Sequence, residues 1–175
     1  NTGRTPNGND NTISVGYPNK GVRIYNNIST KLTNDAGWNF HFEFWNSQGG
    51  IEIYNNDFYG GKNAIDLSGN VSSHKNNYDY SYSVHNNRFY NTGANTTSGR
   101  YTITLEGTST TDILIYDNYF LDCAAPVTIT EGSFNNQPIT ARELKNIHIY
   151  KNIMESSGYD NSGIYSNVIS LNNGA

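Results

Sequence analysis

The sequence predicts an all-β solenoid, a parallel β-helix, on three observations. A twelve-residue phrase returns five times along the chain. Within it, apolar and polar positions alternate. The chain is also poor in apolar residues, at 35%, which suits an interior that is one narrow column. A recurring unit that cannot bury its own apolar face must stack on copies of itself. The stack that gives every strand parallel neighbours is a coil in which like positions repeat about 4.8 Å apart.

The phrases are "GVRIYNNISTKL" (21–32), "GIEIYNNDFYGG" (50–61), "YSVHNNRFYNTG" (82–93), "DILIYDNYFLDC" (112–123) and "NIHIYKNIMESS" (146–157). They align on Asn27, Asn56, Asn87, Asn118 and Asn152, at steps of 29, 31, 31 and 34 residues. Five residues before each Asn stand Val22, Ile51, Tyr82, Ile113 and Ile147. Three before stand Ile24, Ile53, Val84, Ile115 and Ile149. Two after stand Ser29, Phe58, Phe89, Phe120 and Met154. The period of two marks a strand with one face buried. The Asn column fits the same picture, since stacked amides hydrogen-bond along a ladder. A second strand follows each phrase: "FHFEF" (40–44), "AIDL" (64–67), "TITL" (102–105), "VTIT" (127–130) and "VISL" (168–171), with "ISV" (13–15) as its counterpart in an earlier coil. Its inward residues are Phe42/Phe44, Ile65/Leu67, Ile103/Leu105, Val127/Ile129 and Ile169/Leu171. The whole chain, 1–175, reads as one such domain.

The repeat I-x-I-Y-x-N-x-F resembles that of right-handed parallel β-helix proteins of the pectate-lyase-like superfamily. The resemblance covers residues 13–171 and implies a right-handed parallel β-helix of about five turns, carbohydrate chemistry and a setting outside the cytoplasm. It does not choose a function, because that scaffold carries lyases, hydrolases and non-catalytic sugar-binding modules alike. In its short length the chain is similar to the β-helical carbohydrate-binding modules of gut bacterial xylanases.

Candidate sites lie on three surfaces. Two residues before each Asn, facing outward, come Tyr25, Tyr54, His85, Tyr116 and Tyr150. This is either a sugar platform or a stack between coils, and at strand spacing the rings cover one another's faces, which favours the stack. The outward face of the second strand presents His41, Glu43 and Trp45, then Ala64, Asp66 and Ser68, then Thr102, Thr104 and Glu106, then Pro126, Thr128 and Thr130. Glu43 and Asp66 fall one coil apart. Two carboxylates so close suit a retaining glycosidase pair, two calcium ligands or a polar rim that contacts sugar through His41, Glu43 and Asp66. The Thr-x-Thr rows suggest an ice-binding face only weakly, being few and interrupted. Ring-bearing loops form the third surface. Trp45 enters "WNSQGG", and Tyr78 and Tyr80 lie in the corresponding loop of the next coil. Trp38 sits on the other edge in "TNDAGWNF". Exposed rings beside amides and hydroxyls are what a neutral polysaccharide needs.

The remaining features mostly exclude. With 11 Lys and Arg against 15 Asp and Glu, the net charge is −4, so nucleic acid is not expected as a partner. No long apolar run spans a membrane. Cys123 is the only cysteine, so no intrachain disulfide forms. No cofactor is expected; calcium is the one ion to consider. The opening "NTGRTPNGND" reads as a cut end. Together with these exclusions, the resemblance implies a secreted or cell-surface bacterial module, monomeric, joined covalently to a catalytic domain and binding a neutral plant polysaccharide, with xylan first from the similarity to xylanase modules. The alternative is a β-helical polysaccharide lyase or glycoside hydrolase acting through Glu43 and Asp66.

Overall fold

The computed structural model describes residues 12–15, 21–31, 40–45, 49–68, 81–93, 101–106, 112–130, 146–157 and 169–172. Every regular element among them is a strand. In chain order they are β1 (Ile13–Val15), β2 (Arg23–Tyr25), β3 (Ile28–Thr30), β4 (Phe40–Trp45), β5 (Ile51–Tyr54), β6 (Asp57–Tyr59), β7 (Asn63–Ser68) and β8 (Tyr82–His85). There follow β9 (Arg88–Tyr90), β10 (Tyr101–Glu106), β11 (Ile113–Tyr116), β12 (Tyr119–Leu121), β13 (Val127–Thr130), β14 (Ile147–Tyr150), β15 (Ile153–Glu155) and β16 (Ile169–Asn172). Every third strand pairs in parallel with the next of its kind. This builds a six-stranded sheet A (β1-β4-β7-β10-β13-β16), a five-stranded sheet B (β2-β5-β8-β11-β14) and a five-stranded sheet C (β3-β6-β9-β12-β15). Three parallel sheets wound by one chain are the arrangement of a β-solenoid. No helix among the described residues is long and apolar enough to cross a membrane.

Each repeat thus holds three strands, where the sequence reading expects two. The recurring phrase is not one strand but two, broken before its Asn. The break is a left-handed residue: Asn26, Asn55, Asn86, Asp117 and Lys151 all have φ between 52° and 57°. Asn and Asp tolerate this conformation better than other non-glycine residues. The turn that they make separates sheet B from sheet C and aims the following Asn inward.

The inward Asn residues form the expected ladder. The backbone N–H and side-chain Nδ2 of Asn27 both donate to Oδ1 of Asn56, each at 3.0 Å. Asn56 donates in the same way to Asn87, Asn87 to Asn118 and Asn118 to Asn152. The remaining amide hydrogen reaches a backbone carbonyl of the preceding coil, Ile53 for Asn87 and Val84 for Asn118. Asn56, Asn87 and Asn118 are buried, so the ladder satisfies polar backbone that the turns would otherwise strand.

Beside the ladder lies the apolar column. Ile51, Ile53, Val84, Ile113 and Ile115 face in from sheet B, and Phe42, Phe44, Ile65, Leu67, Ile103 and Leu105 from sheet A. Sheet C contributes Phe58, Phe89 and Phe120, whose rings stack at 4.8 Å per step. That distance is the strand spacing itself, so like residues meet like. Ile169 holds its expected register with the core residue Val127 and, on the last described strand of sheet A, stays 42% exposed.

Candidate functional site

The outward face of sheet A carries the paired carboxylates that the sequence singles out. Register brings Ser14, Glu43, Asp66, Thr104 and Thr128 into one row, with Glu43 directly beside Asp66. Ser14 Oγ donates to Glu43 Oε2 at 3.3 Å. The row is not an exposed rim. Glu43 is 4% exposed and Asp66 5%. Ala64, Thr102, Thr104 and Thr128 are buried with them, which also removes the flat Thr array. The expectation of solvent-facing carboxylates is therefore corrected: Glu43 and Asp66 point away from the core and are nonetheless buried, as side chains on both faces of a parallel sheet commonly are. The hydroxyls of Thr104 and Thr128 lie buried without a hydrogen-bond partner.

His41 is corrected for a more specific reason. Its side chain is fully buried at the corner between sheets C and A. Nδ1 lies 2.7 Å from Ser29 Oγ and Nε2 lies 2.9 Å from the Gly60 carbonyl oxygen. A carbonyl only accepts, so Nε2 carries the hydrogen and Nδ1 accepts from Ser29. The ring packs edge-on against Phe58 at 5.4 Å and fills the space that Gly61 leaves: a Cβ on Gly61 would stand 2.8 Å from His41 Nε2. Burial depresses the His41 pKa to about 4, the Gly60 hydrogen bond partly restores it, and Lys31 lowers it further. This is a buried, neutral corner post.

Along the same corner Thr92 Oγ1 donates to Cys123 Sγ at 3.1 Å, and the Cys123 N–H donates to Ser157 Oγ. Burial pushes the Cys123 thiol up, which keeps it protonated and unreactive. No group of three His, Cys, Asp or Glu side chains placed to hold a metal ion occurs among the described residues.

The outward faces of sheets B and C carry the aromatic residues. Tyr25, Tyr54, His85, Tyr116 and Tyr150 stack in that order at 5.0, 5.2, 4.7 and 5.0 Å, all within 8° of parallel. The column has the form of an inter-coil stack. Only its end rings keep a free face: Tyr25 is 49% exposed and Tyr150 43%. A second stack on sheet C was missed in the sequence: Tyr59 lies on Tyr90 at 4.8 Å. Thr30 holds the next register position beyond Tyr59, and a Thr cannot cover a ring, so Tyr59 is 38% exposed. The signal was legible as a Tyr three residues after Asn56 and Asn87. Of the loop candidates, Trp45 ends β4, but its side chain lies outside the described residues, as do Trp38, Tyr78 and Tyr80 altogether.

No protein-family model matches the chain, and neither a curated protein nor a solved structure matches it.

Proposed function

We propose that the protein is a non-catalytic carbohydrate-binding module, a right-handed β-helix of about five turns of the pectate-lyase-like kind, acting outside the cell beside a catalytic domain. The observation that carries the reading is the outward aromatic set. Tyr25, Tyr59 and Tyr150 each keep an accessible ring on a scaffold whose exposed residues include Asn26, Asn27, Thr30, Asn55, Asn86 and Asn91. Rings of this kind offer their faces to sugar C–H groups, and the neighbouring polar side chains offer hydrogen bonds to hydroxyls. Burial of Glu43 and Asp66 counts against the alternative of a lyase or hydrolase, because both carboxylates would have to reach a polymer chain. The ligand is a neutral plant polysaccharide, with xylan first from the similarity in architecture alone to the β-helical modules of gut bacterial xylanases. Trp45, Tyr78, Tyr80 and Trp38 remain the loop residues proposed to contact it.

The test is electrophoretic retardation in gels containing xylan, β-glucan, mannan or pectin. Trp45→Ala is expected to weaken retention by roughly 1–3 kcal/mol, the scale of stacking on an aromatic side chain, at nearly unchanged melting temperature. Tyr54→Ala, inside the covered stack, is expected to do the reverse. Reducing ends or unsaturated uronides released by the unmutated chain, and lost in Glu43→Gln, would replace this reading with the enzymatic one.

A further inference from the structure

Sheet B has a depression in its outward face that neither the aromatic stack nor the buried carboxylate row explains. Its volume is about 260 Å³. Gly50, Ser81 and Ser83 form its low ground, Glu52 and Asp112 its polar walls, and Leu114 its apolar wall. The cause is a change of side-chain size along one row. Register places Glu52, Ser83 and Leu114 on successive strands, so the short Ser83 stands between two longer neighbours. Glu52 and Leu114 are two strand spacings apart, ~9–10 Å. Gly50, in the left-handed region at φ 65°, adds no side chain at the edge.

The polar walls are held in place from outside. Arg23 Nε pairs with Glu52 Oε2 at 3.0 Å, and His85 Nε2 lies 3.3 Å from the other Glu52 oxygen. Asn146 Nδ2 donates to Asp112 Oδ1 at 3.0 Å. Each carboxylate is thus oriented before a ligand arrives, which lowers the ordering cost of binding. The floor backbone is already spent in the sheet: Tyr82 N–H donates to the Asp112 carbonyl and Ile51 N–H to the Ser81 carbonyl. Polar recognition must then come from serine hydroxyls and carboxylates. That set of acceptors and hydroxyls matches sugar hydroxyls. Among the described residues no Lys or Arg lines the depression, and its two carboxylates disfavour a uronate.

We propose that this depression is a subsite for one neutral pyranose ring of a polysaccharide chain. The proposal rests on the carbohydrate-binding reading and names where on the solenoid that binding occurs. Size fits: the volume falls just under the ~300 Å³ at which pockets for larger ligands begin, room for one ring but not two. Position fits too. Ser81 follows Tyr80 directly, and Gly50 is the fifth residue after Trp45, so the depression lies at the coil edge to which the chain leads from the candidate loop rings.

The test uses the whole chain against xylan, β-glucan and mannan, with pectin as the acidic comparison, in retardation gels and by calorimetry with the corresponding oligosaccharides. Ser83→Tyr fills the depression with a residue that suits a strand and is expected to cut affinity for the retained neutral glycan roughly tenfold or more, about 1.4 kcal/mol. Asp112→Ala removes one polar wall without adding bulk and is expected to cut it severalfold. Asp117→Asn, at an exposed left-handed turn that Asn also tolerates, is expected to leave it unchanged. Near-native melting of each variant is checked first, and Asp112→Ala carries the test should Ser83→Tyr not fold. Retention by the unmutated chain that survives both sheet B substitutions would overturn the subsite while leaving the carbohydrate reading intact, as would retention lost only in Asp117→Asn. Tighter binding of pectin than of the neutral glycans would also overturn it. Failure of the unmutated chain to bind any of the four would remove the carbohydrate reading itself.

Discussion

Replacing Asn87 by Ala isolates what the amide ladder contributes. The Asn87 side chain accepts from the backbone N–H and Nδ2 of Asn56, donates to Asn118 Oδ1 at 3.1 Å and donates to the Ile53 carbonyl at 2.9 Å. Not all of these leave an orphan when they are lost. Asn56 Nδ2 keeps the carbonyls of Ile24 and Tyr54, and Asn118 Oδ1 keeps the backbone N–H of residue 87. One group is stranded, the Asn56 backbone N–H, because the Ile53 carbonyl lies within the β5–β8 ladder. A buried unsatisfied group costs about 1–3 kcal/mol and a lost hydrogen bond about 0.5–1.5 kcal/mol net, so Asn87→Ala is expected to cost about 1.5–4.5 kcal/mol. That is a large part of the 5–15 kcal/mol typical of a domain. Asn27 ends the ladder and is exposed. Its side chain only donates, to Asn56 Oδ1 and the Tyr25 carbonyl, and water can replace it there. Asn27→Ala is expected to cost about 0.5–1.5 kcal/mol, the net worth of an ordinary hydrogen bond. Urea unfolding followed by circular dichroism, at matched m-values, measures both. Costs equal within about 0.5 kcal/mol would refute the argument that burial of the ladder, rather than its mere presence, stabilises the coil.

His41 gives a pH dependence. Its folded pKa of about 4 lies below the ordinary 6.5, so the unfolded chain binds the extra proton between those values; its contribution is complete above pH 6.5 and is lost as pH falls toward 4, about 3 kcal/mol in all. Urea midpoints from pH 7 to pH 4 should show that loss in the unmutated chain and a shallower one in His41→Gln; parallel curves would contradict it. Gly61 tests the same corner. Gly61→Ala combines φ +82° with a Cβ 2.8 Å from the His41 ring and is expected to cost about 2–4 kcal/mol, whereas Gly21→Ala, at φ +73° with nothing within 4 Å, should cost only the backbone strain of about 1–2 kcal/mol. Thermal melts compare them, and similar losses would mean that the ring moves aside freely.

Much of the coil was legible because each inward position is repeated. Ile51, Tyr82 and Ile113 sit at one offset from their Asn, and a parallel stack has to place them in one row. The third sheet was hidden by a conformation rather than by composition. In Tyr-Asn-Asn at 54–56 and Tyr-Asp-Asn at 116–118 the middle residue is left-handed, and that one residue turns the chain onto a new sheet. Lys151 occupies the same turn at φ 54° with a side chain that gives no such hint, so the motif is read from its Asn and Asp members and carried to the Lys by register.

The outward face of sheet A was misjudged because alternation reports which side of a strand a residue faces, not what lies over that side. Glu43 alternates with Phe42 and Phe44 and does point away from the core. Polarity then suggested solvent, and Glu43 is buried. His41 failed differently. Its neighbours in register, Ala64 and Thr102, are small, and a His in that row looks like a surface residue. It is buried because Gly61, twenty residues on, has no side chain, and the imidazole occupies that space. Such pairing of a large residue with a missing one depends on two positions from different strands, and no periodicity in either strand contains it. The depression on sheet B arises in the same way, from Ser83 between Glu52 and Leu114. On a scaffold that repeats this closely, a concave site has to come from the rows that break the repeat, because a row of like residues can only make a ridge.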